Sequence, residues 1–443
     1  MQQLTRGNIV SELLKMAIPI SIGIFLSMLF FAVDTFYIST LGQNQLTAIT
    51  FTFPVILAFT HLAMGFGTGV TTHIAQMVGS HKVQKAKRSA GDAIILAIVA
   101  SIILMMTSLF FMESLFELLG AHAEHLPFIY DYMVPWSYSI PFFTIMLITN
   151  HVIRGYGDTK TPAKILMTVT LLNLILDPFF IFGSYGLLPR MEVQGAALAT
   201  LIASAIGMCM SLAILILRAK VQISLRLRTF WHWQAMAYVG LPSMISQLLP
   251  PVAQSIIVLQ LAASDTQAVA AYGIASRVEA VLLVFFMGLA VAMNIFVAQN
   301  VAAKRKDRVI KAMHFARVSV LIVALLGVFI VSVFGYDIVG WFSEDAQVMH
   351  YGLLYFAFVP ISYAAIGYVM VLNAGYNGRR MPFSALTFNL LRHVGLLMLC
   401  IVLFKPLFGT SGVILAIPVS HIVTAIISHY WFFYTPHRWE SRR

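Results

Sequence analysis

The chain has 443 residues, of which 60% are hydrophobic and only 10% are charged, and its formal net charge is +11. In a soluble globular domain roughly a quarter of the residues are charged. So few charges cannot cover the surface of a water-soluble protein of this size. The composition therefore excludes that class and indicates a chain that keeps apolar surface against lipid.

Twelve apolar stretches are long enough to cross a bilayer, which takes about 20 residues in a helix. The sequence predicts membrane helices at 13–38, 46–78, 84–112, 127–153, 160–183, 191–217, 234–261, 267–302, 308–336, 346–374, 381–404 and 410–434. The alternating segments of about 10 residues that build membrane β-barrels are absent. The first stretch is too long for a signal-peptide core and lacks a small-residue cleavage site, so we expect no cleavable signal.

Basic residues lie almost entirely in alternate loops, with 24 of the 28 on one predicted side of the membrane. The opposite loops collect acidic residues instead, among them Glu113, Glu117 and Asp345. This positive-inside pattern predicts a multi-pass protein of the cytoplasmic (inner) membrane with both termini in the cytoplasm. Basic runs of this kind are topology signals near lipid headgroups, so we expect no nucleic-acid partner.

The two halves of the chain repeat one pattern. Pro19 matches Pro242 and Gly65 matches Gly288, and the two pairs are separated by the same distance in the sequence. After the fourth helix of each half the separation becomes slightly shorter, as between Pro162 and Pro382. A repeat with this regular separation indicates a duplicated helical unit.

This repeat predicts an all-α membrane protein with two pseudo-symmetric six-helix lobes. We place the N-terminal lobe at 1–217, a cytoplasmic linker at 218–233 and the C-terminal lobe at 234–443. Transporters built from repeats bind substrate at the repeat interface and move one half against the other. The spans contain no catalytic acid–base set, nucleophile motif or metal-ligand spacing, so we expect a transporter that is not an enzyme and has no resident metal.

Three acidic residues sit well inside predicted spans, namely Asp34, Asp177 and Glu279. A charge at the centre of a membrane helix costs roughly 2.5–3.5 kcal/mol on insertion scales, so such residues usually face the bundle interior and carry a function. For Glu279 we favour an ion pair or a link to a neighbouring helix. Arg392 and His393 also lie in a span, where they could meet an anionic or polar partner.

Asn173 precedes Asp177 by four residues, which places the amide and the carboxylate on one helix face. Together with Asp34 they could bind a proton, or Na⁺, since hard cations prefer oxygen ligands. A purely structural hydrogen-bond network is the alternative for this pair. Pro19 lies about four turns from Asp34 on the same helix and removes a backbone hydrogen bond. A bend there could couple cation binding to cavity shape, with a static packing kink as the alternative.

Several segments carry a family resemblance. In chain order they are Pro19, Asp34, Gly65 to Gln76, Arg154-Gly155-Tyr156-Gly157-Asp158-Thr159, Asn173 to Pro178 and Gly195-Ala196-Ala197-Leu198-Ala199-Thr200. In this order they resemble the multidrug and toxic compound extrusion (MATE) family, in its DinF-like branch, over essentially the whole chain. The resemblance implies a V-shaped pair of six-helix lobes and cation-coupled export of organic, often cationic, compounds.

The resemblance also implies where coupling takes place. In the DinF-like branch the network lies in the N-terminal lobe, and by register it maps onto Asp34, Asn173 and Asp177, with Tyr132, Asn150 and Thr200 nearby. The NorM-like branch instead uses acidic residues on the seventh and tenth helices. Here the seventh helix offers Gln247 and Gln254, and the tenth has no carboxylate. This departure argues against a cation site in the C-terminal lobe.

We therefore expect a proton-coupled antiporter that exports drugs and toxic compounds by alternating access, with consequences for multidrug efflux and antibiotic resistance. Expected partners are small organic cations, drugs and membrane lipids, the chain is expected to be a monomer, and no cofactor is expected beyond H⁺ or Na⁺. Two alternatives stay open. One is Na⁺ coupling at Asp34, Asn173 and Asp177. The other is a lipid-linked oligosaccharide flippase, although such proteins line the cavity with several basic residues and only Arg277 and Arg392 are candidates here.

Overall fold

The computed structural model describes residues 4–122, 124–183, 189–221 and 229–434. Every regular element in these ranges is helical. The α-helices are α1 Ile9–Ser39, α2 Gln43–Gly79, α3 Val83–Phe110, α4 Met112–Leu118, α5 Leu126–Gly155, α6 Lys160–Phe182, α7 Glu192–Leu217, α8 Thr229–Ala262, α9 Thr266–Ala302, α10 Lys306–Gly340, α11 Ala346–Phe358, α12 Tyr363–Gly378, α13 Pro382–Leu390, α14 Leu396–Phe408 and α15 Thr410–Tyr434. Each predicted span coincides with one of these helices or with a pair of them.

Two of the predicted spans are interrupted in a way that the hydropathy pattern does not reveal. A 3₁₀ turn, Val359–Ser362, joins α11 to α12, and a π turn, Leu391–Gly395, joins α13 to α14. The predicted third span also ends in a separate short helix, α4. Few proteins contain π turns, but those that occur are often found at functional sites.

Eleven helical segments in the described part of the chain are long and apolar enough to cross a membrane. The protein is therefore a multi-pass membrane protein. Helix α5 is just as long, with 30 residues, but its sequence is interrupted by Pro135 and Pro141 and carries more polar side chains. Several of those polar side chains, including Thr149 and Asn150, are buried inside the protein and need no lipid contact.

The chain forms two compact units. Unit 1 contains the described residues from Ile22 to Gly240, and unit 2 contains those up to Ser21 and from Leu241 onward. Both boundaries fall inside long helices, because α1 and α8 each run from one unit into the other. Of the cytoplasmic linker predicted at 218–233, residues 222–228 lie outside the described residues and residues 229–233 lie within α8, and the lobe limits based on the linker stay a prediction.

Unit 1 is organised around α5, which packs against α2, α3 and α7, while α6 packs against α7. Its apolar side chains form two core clusters. One contains Val70, Ile74 and Val152, and the other contains Tyr132 and Ile181. In this way α5 contributes to both cores and holds the surrounding helices in register.

Unit 2 repeats this packing with its own helices. Helix α12 packs against α9, α10 and α15, and α14 packs against α15. These pairs correspond one for one to the pairs of unit 1 under the repeat seen in the sequence. The duplicated sequence pattern therefore reports a duplicated packing arrangement within each unit.

The first described residues are fixed to unit 2 by a network around Arg308. Its guanidinium donates to the carbonyl oxygens of Gly7 at 2.9 Å and Leu4 at 3.2 Å, and to Asn300 Oδ1 at 3.1 Å. The amide of Leu4 donates to Gln299 Oε1 at 3.1 Å. Further along α1, the Gly288 backbone of α9 approaches so closely that a side chain there would collide with α1.

The first part of α8 is fixed to unit 1 in a similar manner. His232 bonds to the Asp92 carboxylate on α3, and Trp233 Nε1 donates to the Asp92 carbonyl oxygen at 2.8 Å. Further along, Gly69 of α2 lies against the α8 backbone, and a Cβ atom there would collide with Met236 and Gly240. The close approach requires glycine at this position.

We expect Gly69→Ala to destabilise the protein by about 1–3 kcal/mol, since a methyl group in a full contact forces the backbone apart. The thermal unfolding midpoint of the detergent-purified protein measures the effect. Gly273→Ala is the matched control, because a Cβ atom there meets no atom within 4 Å. The contact assignment is wrong if the two variants unfold at the same temperature.

Candidate functional site

An acidic site lies within unit 1, where α6 faces α7. Asn173 Nδ2 donates to Asp177 Oδ1 at 2.8 Å, as the spacing of four residues predicts. Thr200 Oγ1 on α7 donates to Asn173 Oδ1 at the longer distance of 3.4 Å. Asp177 is fully buried, and its Oδ2 atom has no hydrogen-bond partner among the described residues. One carboxylate oxygen is thus held by protein while the other is left open.

Asp34 and Tyr132 belong to the same site. The carboxylate of Asp34 lies within electrostatic range of Asp177, and both carboxylates lie within range of the Tyr132 hydroxyl on α5. Tyr132 is buried, whereas Asp34 is half-buried, so the site is closed on the α5 side and more open at α1. Helices α1, α5, α6 and α7 each place one or more polar groups here.

No basic side chain forms an ion pair with Asp34 or Asp177 in the ranges that the structure describes. Two carboxylates that interact in a low-dielectric site resist being ionised together, because each raises the cost of the other's charge. A bound proton or a small cation relieves that repulsion. The arrangement is therefore chemically suited to exchange a cation.

The roles predicted for Asn150 and Pro19 stay predictions. Asn150 is about five turns further along α5 than Tyr132, which is about 27 Å along a helix axis. Its Oδ1 atom is buried without a hydrogen-bond partner among the described residues. Pro19 lies inside α1, which is assigned as one helix from Ile9 to Ser39, and it falls in unit 2.

Glu279 is engaged elsewhere, in unit 2. The Tyr355 hydroxyl of α11 donates to Glu279 Oε2 at 2.6 Å, which is the link to a neighbouring helix that the sequence suggested. Arg277 is exposed and forms no ion pair with Glu279. Instead Glu279 interacts electrostatically with Arg392, in the π turn.

Sequence reasoning missed the buried carboxylate of Asp92. It lies in the first half of α3, where charged residues are frequent, but only 7% of its surface is exposed. Its partner His232 is 140 residues away in the chain, and the ring of His232 lies 5.9 Å from that of His73. No local pattern could have identified a pair with this separation.

The sequence model of the MatE family matches residues 19–179 and 242–402. The chain belongs to the MatE family. Its two matched segments begin at Pro19 and Pro242, the same pair that begins the repeat in the sequence. Because members of this family are transporters, the protein is a transporter and not an enzyme.

Curated relatives cover nearly the whole chain. A protein of Shewanella oneidensis named FAD transporter is 35% identical over 421 residues, covering 94% of this chain and 93% of the relative. The multidrug export protein MepA of Staphylococcus saprophyticus is 25% identical over 431 residues, covering 95% of this chain and 93% of MepA. The two relatives therefore carry different substrate names within one family.

Solved structures agree with the fold. A mutant of the MATE transporter VcmN from Vibrio cholerae superposes with a TM-score of 0.91 at 26% identity and covers 98% of each chain. VcmN in the form described as bent gives a TM-score of 0.90, also at 26% identity, over 96% of each chain. These matches confirm the predicted all-α, two-lobed MATE fold.

The two hydrogen bonds of Asn173 are 2.8 and 3.4 Å long, so we expect the shorter one to contribute more to stability. We expect Asn173→Leu to destabilise the protein by about 1–3 kcal/mol, since it removes the donor from a buried carboxylate. Thr200→Val removes only the 3.4 Å bond and should have a smaller effect. Thermal unfolding of both purified variants provides the comparison. Equal losses would show that the two bonds do not differ in strength.

Proposed function

We propose that this MatE transporter is an antiporter that exchanges a proton for an organic compound by alternating access, as in the DinF-like branch. The single observation that carries the proposal is the Asp34–Asp177 pair, which has no basic partner among the described residues. A proton entering from outside would neutralise one carboxylate and change the hydrogen bonds of the site. Release of that proton inside would restore the repulsion and complete the cycle.

The membrane potential supplies part of the driving force. Moving one elementary charge across the membrane is worth roughly 2.3 kcal/mol per 100 mV, so a single coupled proton already supports a useful substrate gradient. Na⁺ is the alternative coupling ion, with carboxylate and amide oxygens of Asp34, Asn173 and Asp177 as its ligands. A bend of α1 at Pro19 would connect the state of Asp34 to the cavity.

The proposed orientation follows from charge. With both termini in the cytoplasm, the basic loops face the anionic inner leaflet, which the positive-inside rule favours. The basic residues at the start of α10, Lys306, Arg308 and Lys311, lie on that side. The charge pattern supports a location in the cytoplasmic membrane, where an inward proton gradient would drive transport of the substrate outward.

Two substrate classes have support. The relationship to MepA favours drugs and other organic cations, which a negatively charged site in unit 1 would attract. A second candidate is flavin adenine dinucleotide, which the name of the 35% identical relative from Shewanella oneidensis supports. We place organic cations first, because the acidic site is the chemistry seen in the described residues.

The coupling proposal predicts that Asp34→Asn abolishes gradient-driven transport while the protein stays folded. Proteoliposomes loaded with ethidium, with proton and sodium gradients imposed separately, measure the rate by fluorescence. Asp337→Asn is the matched control, since this carboxylate is exposed near the end of α10. Unchanged transport by Asp34→Asn would remove this carboxylate from the mechanism, and activity only with a sodium gradient would replace the proton.

The substrate proposal is tested by competition in the same vesicles. If organic cations are the substrates, ethidium transport should respond to the gradient and excess flavin adenine dinucleotide should leave it unchanged. Inhibition by the dinucleotide, together with its own gradient-driven accumulation measured by flavin fluorescence after washing, would favour the second candidate. Accumulation of neither compound would show that both substrate assignments are wrong.

A further inference from the structure

A second group of ionisable side chains lies entirely within unit 2. The proposed coupling does not involve it, and the family match assigns it no role. We call it the C-terminal cluster. It contains Glu279 on α9, Tyr355 on α11, Arg392 and His393 in the π turn, and His421 on α15. The helices of unit 2 thus bring one acidic, one basic and several neutral polar groups together in an apolar bundle.

Arg392 is the central residue of this cluster. Only 7% of its surface is exposed, and its Nε and Nη2 atoms donate to His393 Nε2 at 3.1 and 2.6 Å. A guanidinium only donates hydrogen bonds, so Nε2 must accept and the ring proton of His393 must sit on Nδ1. His393 is therefore neutral and does not balance the charge of Arg392.

One edge of the guanidinium is left open. Arg392 Nη1 is buried and has no hydrogen-bond partner in the described part of the chain. Glu279 interacts with Arg392 electrostatically, but the two form no ion pair, and the Tyr355 hydroxyl holds the Glu279 carboxylate instead. A buried charge that lacks hydrogen bonds is costly to maintain, so an open guanidinium edge indicates a place for an anionic ligand.

The backbone at Arg392 is also unusual. Residues Leu391–Gly395 form a π turn, a geometry that is rare and that recurs at functional sites. The repeat that aligns Pro162 with Pro382 also aligns Asn173 of unit 1 with His393, and Asp177 with Leu397. Arg392 itself aligns with Leu172, so the same helical segment of the duplicated fold carries the carboxylate site in unit 1 and the buried arginine in unit 2, at neighbouring positions.

We propose that Arg392 anchors a site for the phosphate group of an organic anion, in a transporter that handles organic compounds as proposed above. The planar guanidinium matches phosphate geometry and can donate two parallel hydrogen bonds to it. Tyr355, which donates to Glu279, also packs edge to face against Tyr272 with ring centroids 6.0 Å apart, so the Glu279 side of the cluster is held in place by buried aromatic rings.

Glu279 sets the strength of this site. Without a ligand, its carboxylate offsets the charge of Arg392 from a distance, and with a ligand it repels the incoming phosphate. Glu279 keeps part of its surface exposed, whereas Arg392 and Tyr355 are buried. The two charged residues should therefore have opposite effects on anion binding, which a structural ion pair would not show.

Riboflavin and flavin mononucleotide provide a matched pair of probes, because they share one ring system and differ by a phosphate. Binding of each to the purified full-length protein is measured by flavin fluorescence. We expect the mononucleotide to bind about tenfold or more tightly than riboflavin, from the usual strength of hydrogen bonds to a charged group. Arg392→Gln should remove most of this difference and leave riboflavin binding nearly unchanged.

Glu279→Gln should increase the preference for the mononucleotide, since it removes the competing carboxylate and keeps a hydrogen-bonding group. Arg277→Gln is the matched control, because this arginine is exposed in the same helix. If Arg392→Gln fails to fold, as judged by its thermal unfolding, Arg392→Lys keeps the charge and should lower the preference without abolishing it.

Equal binding of the two flavins by the unmodified protein would overturn the proposal. So would an equal loss of affinity for both flavins in Arg392→Gln, which would make Arg392 a structural residue. Binding at equilibrium requires no gradient, so these outcomes are separate from failure of the coupling scheme. The phosphate site could stand if Asp34→Asn left transport intact, and it could fall while proton coupling held.

Discussion

Repulsion between two carboxylates in one apolar helix bundle is the interaction on which the proposed activity depends. Asp34 lies within electrostatic range of Asp177, and both lie within range of Tyr132. No arginine or lysine in the described ranges forms an ion pair with either carboxylate. In water such a pair would matter little, since solvent screens it. Inside a bundle the repulsion persists until a cation binds. Under the proposed coupling the site would alternate between two states of different charge.

Helix α1 connects the proposed cation site to the other unit, because it carries Asp34 and belongs to both units. Helix α1 contributes Asp34 to unit 1 and its first half to unit 2, where the Arg308 network holds the start of the chain. A change in hydrogen bonding at Asp34 therefore acts on an element whose other end is fixed in the second unit. Hinge positions need only absorb the backbone change between two such anchored ends. Pro19 lies on α1 just before the unit boundary.

Much of this arrangement follows from sequence, because it rests on local periodicity. Hydropathy located a long helix or helix pair at every predicted stretch, and the spacing of four residues correctly placed Asn173 against Asp177. Tertiary pairs could not be predicted in this way, since Asp92 and His232 are 140 residues apart and neither has a distinctive neighbour. The π turn at Arg392 was also missed, because an apolar stretch has the same hydropathy whether its backbone hydrogen bonds follow the α or the π pattern. The place of Asn150 in the site rests on the family resemblance alone and stays a prediction, since its position on α5 is about five turns from that of Tyr132.

The reciprocal sharing of α1 and α8 also bears on how the protein is made. Neither half of the polypeptide contains all the helical surface its own bundle requires, because each lends part of its first helix to the other. The bundle of unit 1 includes the first residues of α8, so it is complete only once the ribosome has translated past the N-terminal half. A fragment that ends before α8 would therefore lack part of the surface on which unit 1 packs.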